Sequence, residues 1–297
     1  MRRLDRRALT PPLRPANLLP ARELALAWSL MAVLALLAWV VVLGQARGMG
    51  VEPGTMGLGL PLFLLLWVIM MIAMMFPSVA PVAVTWARSI GRGSAGAARA
   101  VRLTEFAGGY LLAWTAFGLL TYGILALTGS AVREHPDAGR WIGAVAFLLA
   151  GLQQLGPLKD VCLRHCRSPM AHLVRYAGFR PWARDLRVGI HHGLYCVGCC
   201  WGLMIVLIPL GVMNVLAMAA LSVVIFVEKL WRLGPVFSLA VGAAFLALAV
   251  LAPFHPWLLP GLQAPPQPMP DTEHMKMLAG VAGVAGVAGV AGVGHGG

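Results

Sequence analysis

Charge is absent from long stretches of this chain, and the points where it returns divide the sequence into segments. Residues 24–46, 53–87, 106–132, 141–158, 188–227 and 233–270 contain no Asp, Glu, Lys or Arg. A helix needs about 20 apolar residues to cross the hydrocarbon core of a bilayer. The first four runs each supply one crossing. The fifth run is 40 residues long, too long for one helix and too short for three. Pro209 and Gly211 near its middle favour a break, so two spans are expected there. The sixth run gives one more span before thinning into "HPWLLPGLQAPPQPMP". The pattern predicts seven helices, near residues 24–44, 58–80, 105–129, 139–157, 191–210, 212–228 and 235–254. The fold class is all-α, a polytopic transmembrane helix bundle.

Composition agrees with the pattern: 59% of the residues are hydrophobic, 11% are charged and the mean hydropathy is +0.80. A soluble domain carries about 25% charged residues. Basic residues are retained on the cytoplasmic side and so report orientation. With the N-terminus inside, 19 Lys and Arg fall inside and four outside, namely Arg47, Arg133, Arg140 and Lys276. Fusing the fifth and sixth spans would move Lys229 and Arg232 outside, which supports the count of seven. The net charge of +12 then reflects topology and anionic head groups, so the lipid bilayer is the expected partner and nucleic acid is not. The first run is longer than a usual signal-peptide core and reads as a retained anchor. A multi-pass protein of the bacterial cytoplasmic (inner) membrane is expected, with its C-terminus extracytoplasmic.

This divides the chain into a basic cytoplasmic arm (1–23), the bundle (24–254) and an extracytoplasmic tail (255–297). Within the bundle, residues 158–190 form a basic cytoplasmic loop long enough for a short amphipathic helix at the interface. The tail is Pro-rich and then repeats Gly-Val-Ala, for which disorder is expected. Met269, His274, Met275 and Met277 in "MPDTEHMKM" read as part of this polar tail, with soft-metal contact the competing idea.

Five cysteines remain to be explained, and all lie on one side of the membrane in this topology. Cys162 and Cys166 are spaced i, i+4, which places both thiols on one helical face. Cys196 shares a face with both Cys199 and Cys200. Cytoplasmic thiols stay reduced, so ligands or redox groups are expected rather than structural disulfides. Thiolate and thioether are soft donors that select Cu(I), Zn or iron–sulfur chemistry. Met70 with Met74, and Met71 with Met75, form a broad sulfur face on the second span, and Met204 lies one turn beyond Cys200. Core packing is the competing role for these methionines. His191 and His192 flank the thiols as further candidate ligands, whereas His165 in the basic loop is expected to be solvated. Zinc is the rival metal, since Cys162, Cys166, Cys196 and Cys199 could close a tetrahedral site.

Ionisable groups in spans are functional by default. Glu105, Glu228 and Lys229 nevertheless stand at span ends, where anchoring is the favoured role. Asn214 suggests an interhelical hydrogen bond. Pro77 and Pro81, like Pro209 with Gly211, are expected to break their helices at membrane depth.

"WVIMMIAMMFPS" (67–78), "QLGPLKDVCLRHCRSP" (154–169), "GLYCVGCCWGLM" (193–204), "GVMN" (211–214) and "EK" (228–229) resemble a bacterial family of predicted metal-binding integral membrane proteins. It is catalogued as a domain of unknown function, and some members are labelled copper chaperones. The resemblance implies a metal, copper foremost. Together with the thiol pattern it leads to the expectation of a membrane protein that handles Cu(I) for transport or for delivery to an apo-cuproenzyme, with a soluble metallochaperone as a further possible partner. The alternatives are a membrane thiol–disulfide oxidoreductase, and a permease or scaffold with a structural zinc. No hydrolase triad, phosphate loop or carboxylate pair appears, so no ordinary enzyme activity is expected.

Overall fold

Apolar runs interrupted by Gly, Pro and charge become helices, and the described residues contain no strand. The structure is a computed structural model and describes residues 21–48, 54–89, 97–167 and 183–263. Most of the basic arm, the middle of the basic loop at 158–190 and the tail from residue 264, with Met269, His274, Met275 and Met277, lie outside the described residues. The helices are α1 (Ala21–Gly48), α2 (Leu60–Ser89), α3 (Ala97–Glu134), α4 (Ala138–Leu155), α5 (Pro157–Arg167), α6 (Arg184–Ile205), α7 (Leu207–Leu210), α8 (Val215–Leu230) and α9 (Gly234–Leu251). Two 3-10 turns follow at Pro256–Leu258 and Pro260–Leu262.

A helix stands at each of the seven expected places. Five stretches are long and apolar enough on their own to cross a membrane: Trp28–Gly48, Leu60–Val84, Ala100–Glu134, Arg184–Leu210 and Gly234–Leu251. α4 qualifies only together with α5, from which it is bent by 61°. α8, at 16 residues, is shorter than the roughly 20 of an untilted crossing.

Packing follows small residues. α3 lies along α6, α4 along α9, and α1 along α2. At the α3–α6 crossing a Cβ on Gly189 would stand 2.1 Å from the Phe106 carbonyl oxygen, and one on Gly109 would stand 2.2 Å from that of Leu186. Backbones this close are what small residues permit between helices in lipid. The outer surface shows Leu36, Leu127, Leu216 and Val250, while Lys159, Asp185, Glu228 and Lys229 are buried. That distribution suits hydrocarbon as the solvent.

The expectations at the prolines and at Asn214 meet different outcomes. α2 continues as a single helix through Pro77 and Pro81; neighbouring helices and Ser side chains can re-satisfy the backbone groups that proline frees. The break at Pro209 and Gly211 is real, and Gly211 adopts φ 94°, a left-handed conformation natural to glycine. The hydrogen bond expected of Asn214 between helices is made locally, across this break. Asn214 caps α8, its side chain accepting from the Ala217 amide at 3.1 Å and donating to the Leu210 carbonyl at 2.9 Å, and so joins the two sides of the break.

The fifth helix also starts earlier than the charge-free run. α6 begins at Arg184, because Asp185 in its first turn is satisfied by the Arg102 guanidinium at 2.8 Å and the Trp86 indole N–H at 2.9 Å. A paired carboxylate near a helix N-terminus is favourable. The consequence is positional: Cys196, Cys199 and Cys200 lie in the middle of a helix, not at its end. Cys196 stands nine residues beyond Arg187, about 13 Å along the axis at 1.5 Å per residue.

Candidate metal centre

The i, i+3, i+4 spacing of Cys196, Cys199 and Cys200 turns three thiols to one face of α6, and that face is covered. The three sulfurs lie within 4.8 Å of one another and are at most 1% exposed. Cys199 and Cys200 sulfurs are 3.3 Å apart, and the Cys199 thiol donates to the Cys196 carbonyl at 3.2 Å. Cys166 enters from α5, with its sulfur 3.8 Å from that of Cys199. Cys162, one turn earlier, packs on the same helix where Gly198 leaves room; a Cβ there would stand 2.7 Å from the Cys162 sulfur. All five thiols are unbridged and buried. Cys166 thus joins the thiols of α6, whereas Cys162 lies against Gly198 outside the converging group, and the bend after α4 folds the two helices together.

Neighbouring helices fix the frame. Gln153 on α4 donates to the carbonyls of Gly198 and Cys199, both at 3.1 Å, tying α4 to the thiol turn. From α3, the Tyr110 hydroxyl shares a hydrogen bond with the Cys196 sulfur at 3.1 Å. The glycine seam allows that approach, because Gly189, Gly193 and Cys196 occupy one stripe of α6 and a Cβ on Gly193 would crowd the Tyr110 carbonyl at 3.0 Å. From α8, the Lys229 ammonium donates to the Cys196 sulfur at 3.0 Å and to the Ser78 hydroxyl at 3.2 Å. Next to it in sequence, Glu228 pairs with Lys159 at 2.7 Å and accepts from Gln154 at 2.8 Å. Gln154 also accepts from Lys159.

The remaining candidates divide. Met70, Met71, Met74 and Met75 are buried to within 2% and belong to the same continuous core as the thiols, as does Met204. α2 packs chiefly on α1, α3 and α8, and its polar link to the centre is Ser78, whose hydroxyl also donates to the Met75 carbonyl at 2.8 Å. His192 is buried and lies beside Tyr110, ring centroids 6.2 Å apart. His191 is half-buried, 5.0 Å from Tyr195. Neither imidazole joins the group of converging sulfurs. His165, expected in solvent, is 4% exposed and stacks on Tyr195 at 3.8 Å. The expected anchoring role fails for Glu228 and Lys229, which are buried, but Glu105 is exposed.

Sequence reasoning did not place Tyr110, Ser78 or Gln153 at the centre. "GIHHG" at 189–193 was the available signal for the close α3 approach, as a small-xxx-small pair. The donor set itself suits a soft ion. Metal–sulfur bonds of about 2.3 Å put two sulfurs on one tetrahedral ion about 3.8 Å apart, which is the Cys166–Cys199 separation. Among the described residues the oxygen donors near the centre are neutral, from backbone, Ser78, Tyr110 and the Gln153 amide, so it offers little to a hard cation.

Comparison with curated proteins and with solved structures gives no match. Residues 64–252, from the first turns of α2 to the end of α9, match the profile of the family described as PpoB2, copper chaperone, and the chain belongs to that family.

Proposed function

We propose that this chain is an integral membrane protein that holds Cu(I) on buried thiols and moves it across the membrane or hands it to an apo-cuproenzyme. The observation that carries this reading is the convergence of Cys166 from α5 on Cys196, Cys199 and Cys200 from α6, in a chain of the copper chaperone family. Sulfur-only coordination favours Cu(I), and the buried methionines of α2 offer the thioethers that add to this preference. Cys166 completes the donor set with Cys162 as a further thiol one turn away, Met204 with the α2 methionines forms a second layer of soft donors, and His191 and His192 line the approach. The bundle crosses the bacterial cytoplasmic membrane seven times, with the N-terminus inside. Burial of all five thiols speaks against the exchanging-dithiol alternative, because reactive dithiols are partly exposed.

Elemental analysis by mass spectrometry of the detergent-purified protein, expressed with and without added copper, tests the proposal beside a variant with all five cysteines changed to serine. Copper is expected on the wild type and absent from the variant. One equivalent of zinc instead would assign a structural clamp between α5 and α6, and no metal on either protein would return the thiols to redox chemistry.

A further inference from the structure

Lys229 is 8% exposed, in a protein whose spans hold few charges. Burying an ammonium is costly unless a negative group compensates it. The carboxylate beside it in sequence is already taken, since Glu228 is held by Lys159 and Gln154. Among the described residues no carboxylate lies within 4.0 Å of the Lys229 ammonium, whose side-chain partners are the Cys196 sulfur and the Ser78 hydroxyl. Ser78 brings no charge, so the sulfurs are the compensating group. Charge counting agrees: Cu(I) on two or three thiolates carries one or two excess negative charges, and a fixed cation against one of those sulfurs offsets one of them. The Tyr110 hydroxyl on the same sulfur adds a second polar contact of the kind that orients and tunes metal ligands.

We infer that Lys229 is the built-in counter-cation of the thiol centre, a positioning and specificity residue that suits it to an anionic thiolate complex of a soft ion. The inference rests on the copper-handling reading above and names a residue for it. Lys229 also marks the junction of two sulfur groups. Its amine reaches Cys196 on α6 and, through Ser78, the turn of α2 that carries Met74 and Met75. The charge therefore sits where an ion passing from thiols to thioethers would go, and it favours the ion staying with the charged sulfurs.

The test compares Lys229→Met and Lys229→Arg with the wild type in competition for Cu(I) against a chromogenic Cu(I) chelator, alongside thermal melting of the metal-free proteins. Loss of an outer partner typically costs about 10- to 100-fold in metal affinity, and that loss is expected for Lys229→Met. Lys229→Arg, which keeps the charge, is expected to retain most of the affinity. Melting of metal-free Lys229→Met is expected to change little, because the sulfur left behind can hold its proton and leaves no unpaired buried charge. Wild-type affinity in Lys229→Met would overturn the inference and leave the copper reading standing. Equal losses in the Met and Arg variants would overturn it too, since packing and not charge would then be the cause. A wild type that cannot compete for Cu(I) at all would instead remove the copper reading. Lys229→Gln carries the same comparison if Lys229→Met is not recovered folded.

Discussion

Single atoms decide the distance between α3 and the thiols. Gly189 has no room for a methyl group, since a Cβ would stand 2.1 Å from the backbone oxygen of Phe106. Gly108, two residues beyond Phe106 on the other face of α3, has nothing within 4 Å. Gly189→Ala is therefore expected to cost about 1–3 kcal/mol as overpacking, seen as a lower melting temperature and faster alkylation of Cys196 as Tyr110 withdraws. Gly108→Ala is expected to be neutral or slightly stabilising, because alanine is the better helix former. Equal melting of the two variants would mean that the seam is not held at this spacing. The side chains were unevenly legible at this scale. The cysteines announce themselves by type and spacing, and their convergence follows from two helical faces meeting. Tyr110 and Gln153 do not, because an ordinary Tyr or Gln acquires its role only when a helix distant in sequence is laid beside the cysteines.

Helix α5 shows how an element gains its place from charge instead of hydrophobicity. Its inner face carries Lys159, Cys162, Leu163, His165 and Cys166, and it is pinned to α8 by the Lys159–Glu228 pair and by Arg167 donating to the Glu228 carbonyl at 2.8 Å. Removing one partner of a buried ion pair costs about 3–5 kcal/mol, whereas replacing both can be nearly neutral. Glu228→Gln or Lys159→Met alone is expected to lower the melting temperature and expose Cys162 and Cys166 to alkylation. The double variant is expected to recover much of the stability. A double variant no better than the worse single one would show that the pair does not pin α5. In the sequence this element was legible as an amphipathic helix within 158–190. Its docking was not, because the basic residues that suggested a solvated loop include the one that a distant glutamate draws into the interior. The same cause hid the start of α6, where Arg102 and Trp86 make Asp185 tolerable inside a helix.

Across the described residues, five of the six hydrophobic runs each marked one helix, and the fifth marked two once Pro209 and Gly211 divided it. They did not give the bend after α4, which falls where Gly156 turns extended before Pro157, or the shortness of α8, which Asn214 caps at one end and Trp231 ends at the other. The seven-span reading requires α8 to cross with 16 residues and places the N- and C-termini on opposite sides. Reporter fusions at residues 94, 136, 175 and 264 are expected to report inside, outside, inside and outside. An inside signal at 264 would remove one crossing and reverse the sidedness of α9.

The covered sulfur centre has one more consequence, and it concerns time. No cysteine is more than 7% exposed, so an acceptor cannot touch the sulfurs while the helices are arranged as they are. Any ion held there leaves at the rate at which the helices part. For the handover proposed above this means first-order release whose speed levels off as acceptor concentration rises, with the protein and not a recipient keeping the clock.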